Sequence, residues 1–155
     1  MNIILIGYKG AGKTTIAKFY ANSFAKNYLD TDELILKATG FEQIYDLYQS
    51  MGDNNFRALE TKIINGLICD NAIIATGGGV VLNPDNIKCL QQLGLVIYLK
   101  LSPKILFSRL KAPTSITDFT SRDHLYTNAA NFIVDAGLLS VPELANIIYG
   151  YENGK

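Results

Sequence analysis

Short, wholly apolar runs alternate along this chain with longer stretches in which apolar residues recur every three or four positions. Ile3-Ile4-Leu5-Ile6 is the first run and ends at a glycine, the pattern of a strand buried on both faces. From Lys13 onward, Ile16, Phe19, Tyr20 and Phe24 fall on one stripe of a helix. Tyr28-Leu29 predicts a brief second strand, cut off by Asp30-Thr31-Asp32. Phe56, Leu59, Ile63, Ile64, Leu67 and Ile68 predict an amphipathic helix. Ala72-Ile73-Ile74-Ala75 reads as a third strand running into Gly77-Gly78-Gly79, Leu95 to Leu99 as a fourth, and Phe132-Ile133-Val134 as a fifth. Pro103 and Pro142 suit the first turns of two further helices, the former carrying Leu106 and Leu110. Strand and helix alternating at this spacing imply an α/β fold of three αβα layers around a central five-stranded parallel sheet. Lys111 to Ser121 shows no period. It is expected to be a short, irregular, lid-like surface loop.

Size and composition narrow the function. A chain of 155 residues, 48% of them apolar, is expected to form one domain over 1–155 with a real core. Fourteen basic and fourteen acidic side chains cancel, so no broad positive field draws nucleic acid or an anionic membrane. Two cysteines without CxxC spacing and a single histidine, His124, assemble no zinc cluster and fit a reducing compartment. The apolar runs are far too short to span a membrane, and nothing basic precedes Ile3 as in a signal peptide. A cytoplasmic location follows as the expectation.

The chemistry begins at Gly7-Tyr8-Lys9-Gly10-Ala11-Gly12-Lys13-Thr14, which satisfies G-x-x-x-x-G-K-[ST] at every specified position. A buried strand enters it and an amphipathic helix leaves it. In that setting the backbone N–H groups of Gly10, Ala11, Gly12, Lys13, Thr14 and Thr15 turn toward one oxyanion, and the helix N-terminus adds positive potential. Lys13 would reach the β- and γ-phosphates of a nucleotide, and the Thr14 hydroxyl would take a position on Mg²⁺.

Asp30 and Asp32 stand where a parallel strand ends, the edge at which open α/β sheets bind ligands. In extended backbone both would share a side, one on the metal shell and one accepting a proton from a hydroxyl. Capping of the following helix by Thr31 or Asp32 is the competing explanation. Arg57 borders the apolar stripe of its helix and can face a cleft with Glu60 three residues on to hold it, although spacing alone favours a surface ion pair. The triple glycine Gly77-Gly78-Gly79 marks a close backbone approach or a tight turn. Arg122 can supply a cation to a carboxylate or phosphate. Arg109 ends a helix on a side where an adenine can stack, or is a solvated terminus.

Taken together these residues resemble the shikimate kinase family of small P-loop kinases. The order matches: phosphate loop at 7–14, D-x-D at 30–32, F-R-x-x-E at 56–60, T-G-G-G at 76–79 and R-x-x-L-Y at 122–126, over roughly residues 1 to 136. The resemblance implies a P-loop kinase fold and Mg²⁺-dependent transfer from ATP to the 3-hydroxyl of shikimate, giving ADP. It implies Lys13 on the transferring phosphoryl group, Thr14 on Mg²⁺ with Asp30 near its water shell, and Asp32 as base or orienter of the acceptor hydroxyl. It further implies that Arg57 and Arg122 clamp the carboxylate beside Gly77 to Gly79, with Arg109 on the nucleotide. A monomer is expected.

The family's lid normally carries an Arg-Pro-Leu-Leu segment between the positions of Arg109 and Arg122, and here that interval holds no arginine. Histidine replaces proline in Arg122-Asp123-His124-Leu125-Tyr126, and no basic residue stands in Asp135 to Val141. Lys9 and Lys111 are the cations placed to compensate. Two other readings stay open on sequence: a P-loop kinase for another small acid or a nucleoside monophosphate, and an ATP-binding homologue with little kinase activity.

Overall fold

The computed structural model describes residues 1–110 and 116–155. Five strands form one parallel sheet in the order β2-β3-β1-β4-β5. They are β1 (Asn2–Ile6), β2 (Asn27–Asp30), β3 (Ala72–Ala75), β4 (Gly94–Lys100) and β5 (Phe132–Asp135). Sequential parallel strands require crossovers, and these are α1 (Lys13–Phe24), α2 (Thr31–Thr39), α3 (Ile44–Met51), α4 (Asp53–Asn65), α5 (Pro84–Leu93), α6 (Pro103–Arg109) and α7 (Ile116–Ala129), with α8 (Val141–Glu152) last. Helices cover both faces of the sheet, as the alternation predicts.

β1 lies at the centre, paired with β3 through Ile4↔Ile74 and with β4 through Ile4↔Val96. A strand covered on both faces and both edges must be apolar throughout, and Ile3, Ile4 and Leu5 are fully buried. Each such side chain contributes about 1.5–3 kcal/mol of burial. No helix among the described residues is long and apolar enough to cross a membrane.

Three expectations are corrected. Phe19 is exposed rather than on the buried stripe of α1, which runs instead through Ile16, Ala17, Tyr20 and Ala21. The two alanines let α8 approach, and there Tyr20 Oη donates to Glu152 Oε2 at 2.7 Å and Phe24 stacks on Tyr149. The second amphipathic helix stops at Asn65, capped by Gly66, so Leu67 and Ile68 fall outside it and Ile68 is 98% exposed. Of the segment expected to be irregular, residues 116–121 form the opening turns of α7, whose buried positions Phe119, Tyr126 and Ala129 keep helical spacing; residues 111–115, Lys111 among them, lie outside the described residues.

Candidate active site

The loop between β1 and α1 is built on glycine: Gly10 and Gly12 have φ of 85° and 92°, where L side chains are strained. Gly12 is also the N-cap of α1 and offers no side-chain acceptor, and no acidic residue stands in the first turn. The first N–H groups and the positive end of the helix are therefore left to a ligand anion. Lys13 folds over the loop, its Nζ donating to Gly7 O at 2.6 Å and Tyr8 O at 3.0 Å. Burial lowers its pKa to about 8, against the opposing pull of Asp32 and Asp30.

Asp30 does two jobs. Its Oδ2 accepts from Thr14 Oγ1 at 2.8 Å, while its Oδ1 accepts from the N–H groups of Asp32 and Glu33 at 2.9 and 3.2 Å. The cap of α2 is thus Asp30, not Thr31 or Asp32, because the helix starts directly after the strand. For the same reason the two carboxylates do not share an extended backbone: Asp30 closes β2 and Asp32 rises from the first turn of α2. Thr31 is fully buried and its Oγ1 accepts from Gly77 N–H at 3.0 Å, tying this corner to the triple glycine. Burial first, then Asp30 and Glu60, push Asp32 up to about 6, with Lys13 and Arg57 pulling the other way.

Arg57 donates through Nη1 to Glu60 Oε1 at 3.0 Å, and Glu60 is only 1% exposed. The pair is therefore not a surface ion pair. Its surroundings raise the Glu60 pKa through burial, opposed by Arg57. The guanidinium lies 5.2 Å over the Phe56 ring, and buried Nε has no hydrogen-bond partner among the described residues, standing 3.6 Å from Asp53 Oδ1. The glycines make room for these groups: a Cβ on Gly77 would lie 2.8 Å from Asp32 Oδ1, and one on Gly79 would fall on the Arg57 guanidinium. Across the cleft Arg122 lies 5.7 Å over the Tyr8 ring. Four residues on, fully buried Tyr126 donates its hydroxyl to Gly78 O. Asp123 turns to β4, accepting from Tyr98 Oη at 2.7 Å and facing Lys100 Nζ at 3.4 Å, so it does not neutralise its neighbour Arg122.

Gly10, Gly12, Lys13, Thr14, Thr15, Asp30, Asp32, Arg57, Gly77, Gly78, Gly79 and Arg122 all line one cavity of about 910 Å³. Ala11 is buried behind the loop, and Arg109 is exposed at the end of α6, off the cavity wall. The sequence reading missed the wall formed by Glu42 to Tyr45 with Tyr48 and Gln49, although Ile44, Leu47, Tyr48 and Met51 carry the helical spacing that marks α3. Thr14 and Asp30 suit Mg²⁺: both are hard oxygen donors at the phosphate loop, and this ion takes one or two protein oxygens and keeps waters or phosphates on its other positions.

A family model described as shikimate kinase matches residues 9–149. The shikimate kinase of Thermodesulfovibrio yellowstonii is 35% identical over 99% of this chain and 98% of its own length. That of Enterococcus faecalis is 34% identical over 95% of each. Among solved structures, shikimate kinase from Acinetobacter baumannii in complex with shikimate superposes with a TM-score of 0.89 at 29% identity, covering 99% of this chain and 93% of the other. The Aquifex aeolicus shikimate kinase gives 0.88 at 25% identity, covering 99% and 97%. The chain belongs to the shikimate kinase family.

Proposed function

We propose that this chain transfers the γ-phosphoryl group of ATP to the 3-hydroxyl of shikimate, acting as a single-domain monomer in the cytoplasm. The observation that carries the reading is one cavity with a phosphate loop at one end and Asp32, Arg57 and Arg122 at the other. A small hydroxy acid needs cations for its carboxylate and an acceptor for its hydroxyl proton, and these three side chains supply both.

Asp32 accepts the proton as the hydroxyl oxygen bonds to the γ-phosphorus. The bond from that phosphorus to the β,γ-bridging oxygen breaks, its electron pair leaving on ADP. A carboxylate pushed up to about 6 is a stronger base than an ordinary one yet stays mostly ionised at neutral pH. Arg57, steadied by Glu60, and Arg122, laid on Tyr8, fix the acceptor carboxylate so that the hydroxyl faces Asp32. Lys13 and the N–H groups of Gly10, Ala11, Gly12, Thr14 and Thr15 hold the nucleotide phosphates, and Arg109 lies beside the adenine. Mg²⁺ held by Thr14, with Asp30 on its water shell, neutralises phosphate charge when bound.

The test is ADP release by purified protein given ATP and Mg²⁺, with and without shikimate. Release that depends on shikimate and is lost in Asp32→Asn supports the assignment. No stimulation, with ATP binding measured separately and intact, removes it.

A further inference from the structure

Four cationic side chains line the cavity among the described residues, and three of them are engaged. Lys13 is held by two loop carbonyls, Arg57 by Glu60 and the Phe56 ring, and Arg122 by the Tyr8 ring. Lys9 is the fourth. Its ammonium has no ion-pair or hydrogen-bond partner among the described residues, while its backbone packs closely against Gly78. A Cβ on Gly78 would lie 3.1 Å from Lys9 N and 3.7 Å from Lys9 Cα, and Gly78 is itself fixed by the Tyr126 hydroxyl. The charge is thus uncommitted where the backbone sits close to the glycine turn.

Its position is specific. Lys9 belongs to the phosphate loop by sequence, yet it packs on the middle glycine of the turn whose first residue abuts Asp32 and Glu60 and whose third abuts Arg57. It therefore stands at the seam between the nucleotide half and the acceptor half. Asp30, Asp32, Glu42 and Glu60 line the same cavity and repel a phosphoryl group crossing it. We propose that Lys9 is a catalytic cation that contacts the oxygens of the phosphoryl group in transit between ATP and the acceptor hydroxyl. This rests on the phosphoryl-transfer reading above. The bond changes are unchanged: one O–P bond forms at the acceptor, one breaks at ADP, and Lys9 keeps its proton throughout.

Lys9→Met and Lys9→Arg are compared with the parent for kcat, KM of both substrates, ADP affinity by calorimetry, and the slow acceptor-independent hydrolysis of ATP. Loss of one such charge-stabilising group lowers kcat of Lys9→Met by about 10²-fold, with KM values and ADP affinity within about 3-fold. Lys9→Arg recovers most of the rate. Unchanged kcat in Lys9→Met overturns the proposal, as does a fall in ADP affinity that matches the fall in kcat. A raised acceptor KM at constant kcat also overturns it, since Lys9 would then hold the acceptor carboxylate. If the parent proves inert toward shikimate, the acceptor assignment fails by itself. Lys9 is then judged on ATP hydrolysis, where Lys9→Met must lose a similar factor or the proposal falls.

Discussion

The two ends of the cavity are made in different ways. The end proposed for the nucleotide is a continuous stretch of chain, Gly7 to Thr15, in which backbone N–H groups and a helix terminus carry the positive potential, and Lys9 and Lys13 add charge. The acceptor end is gathered from the first turn of α2, the start of α4, the glycine turn after β3 and the middle of α7. There the charges belong to side chains, half-buried or fully buried, pressed against glycines. A backbone-built site tolerates substitution of neighbours because its donors are not side chains. A side-chain-built site fails when any one member moves.

The sharpest way to break this comparison is Asp32→Asn. Turnover is expected to fall by about 10²–10⁴-fold, while ADP affinity measured by calorimetry stays within about 2-fold. A matching loss of ADP affinity would show that the two ends are not separable. Next in size is Gly79→Ala, whose new methyl group displaces the Arg57 guanidinium. The acceptor KM should rise by about 10–100-fold, as it should in Arg57→Ala, with the nucleotide KM unmoved. If Gly79→Ala behaves like the parent, the glycine is only a turn.

A smaller effect concerns stability. A carboxylate raised from 3.8 to about 6 is ionised at pH 7 in both folded and unfolded chains, so the folded state bears the cost of the buried charge. Below about pH 3, roughly a unit under the unfolded-state value, the group is protonated in both states and the cost vanishes. Asp32→Asn is therefore expected to stabilise the fold by about 1–2 kcal/mol at pH 7, discounted for its partial exposure, and by nothing below about pH 3. Denaturant unfolding in metal-free buffer at the two pH values checks the sign. Smallest is Lys100→Met, which removes one partner of half-exposed Asp123 while Tyr98 keeps the other oxygen. Stability should drop by no more than about 0.5 kcal/mol, with acceptor KM within about 2-fold.

The same contrast explains what could be read from the residues alone. The nucleotide end is contiguous, so its spacing is its geometry, and Gly10, Gly12, Lys13 and Thr14 stand where the motif puts them. The five strands are legible because parallel strands buried on both faces leave unbroken apolar runs. The acceptor end is harder. Whether Arg57–Glu60 is a surface pair or a buried one depends on what α2 and the glycine turn place over it, and helical spacing is the same in both cases. The capping role of Asp30 was hidden by an α2 that starts one residue after the strand. The opening of α7 escapes notice because Asp118, Thr120 and Ser121 surround buried Phe119 with polar positions, so no apolar period shows there. Arg109 fits a helix terminus as expected but stands clear of the cavity wall.

The position of β1 has a consequence for how the enzyme is made. Of the five strands, β1 is made before the other four yet occupies the middle of the sheet, and its two neighbours are residues 72–75 and 94–100. The phosphate loop hangs from the end of that strand, but it has no floor until the chain has been synthesised as far as Lys100. Its glycines, free to wander in the nascent chain, are held only when β3 and β4 arrive on either side. Nucleotide is thus available to a growing chain only late, as a ligand that favours the finished sheet over partly built ones.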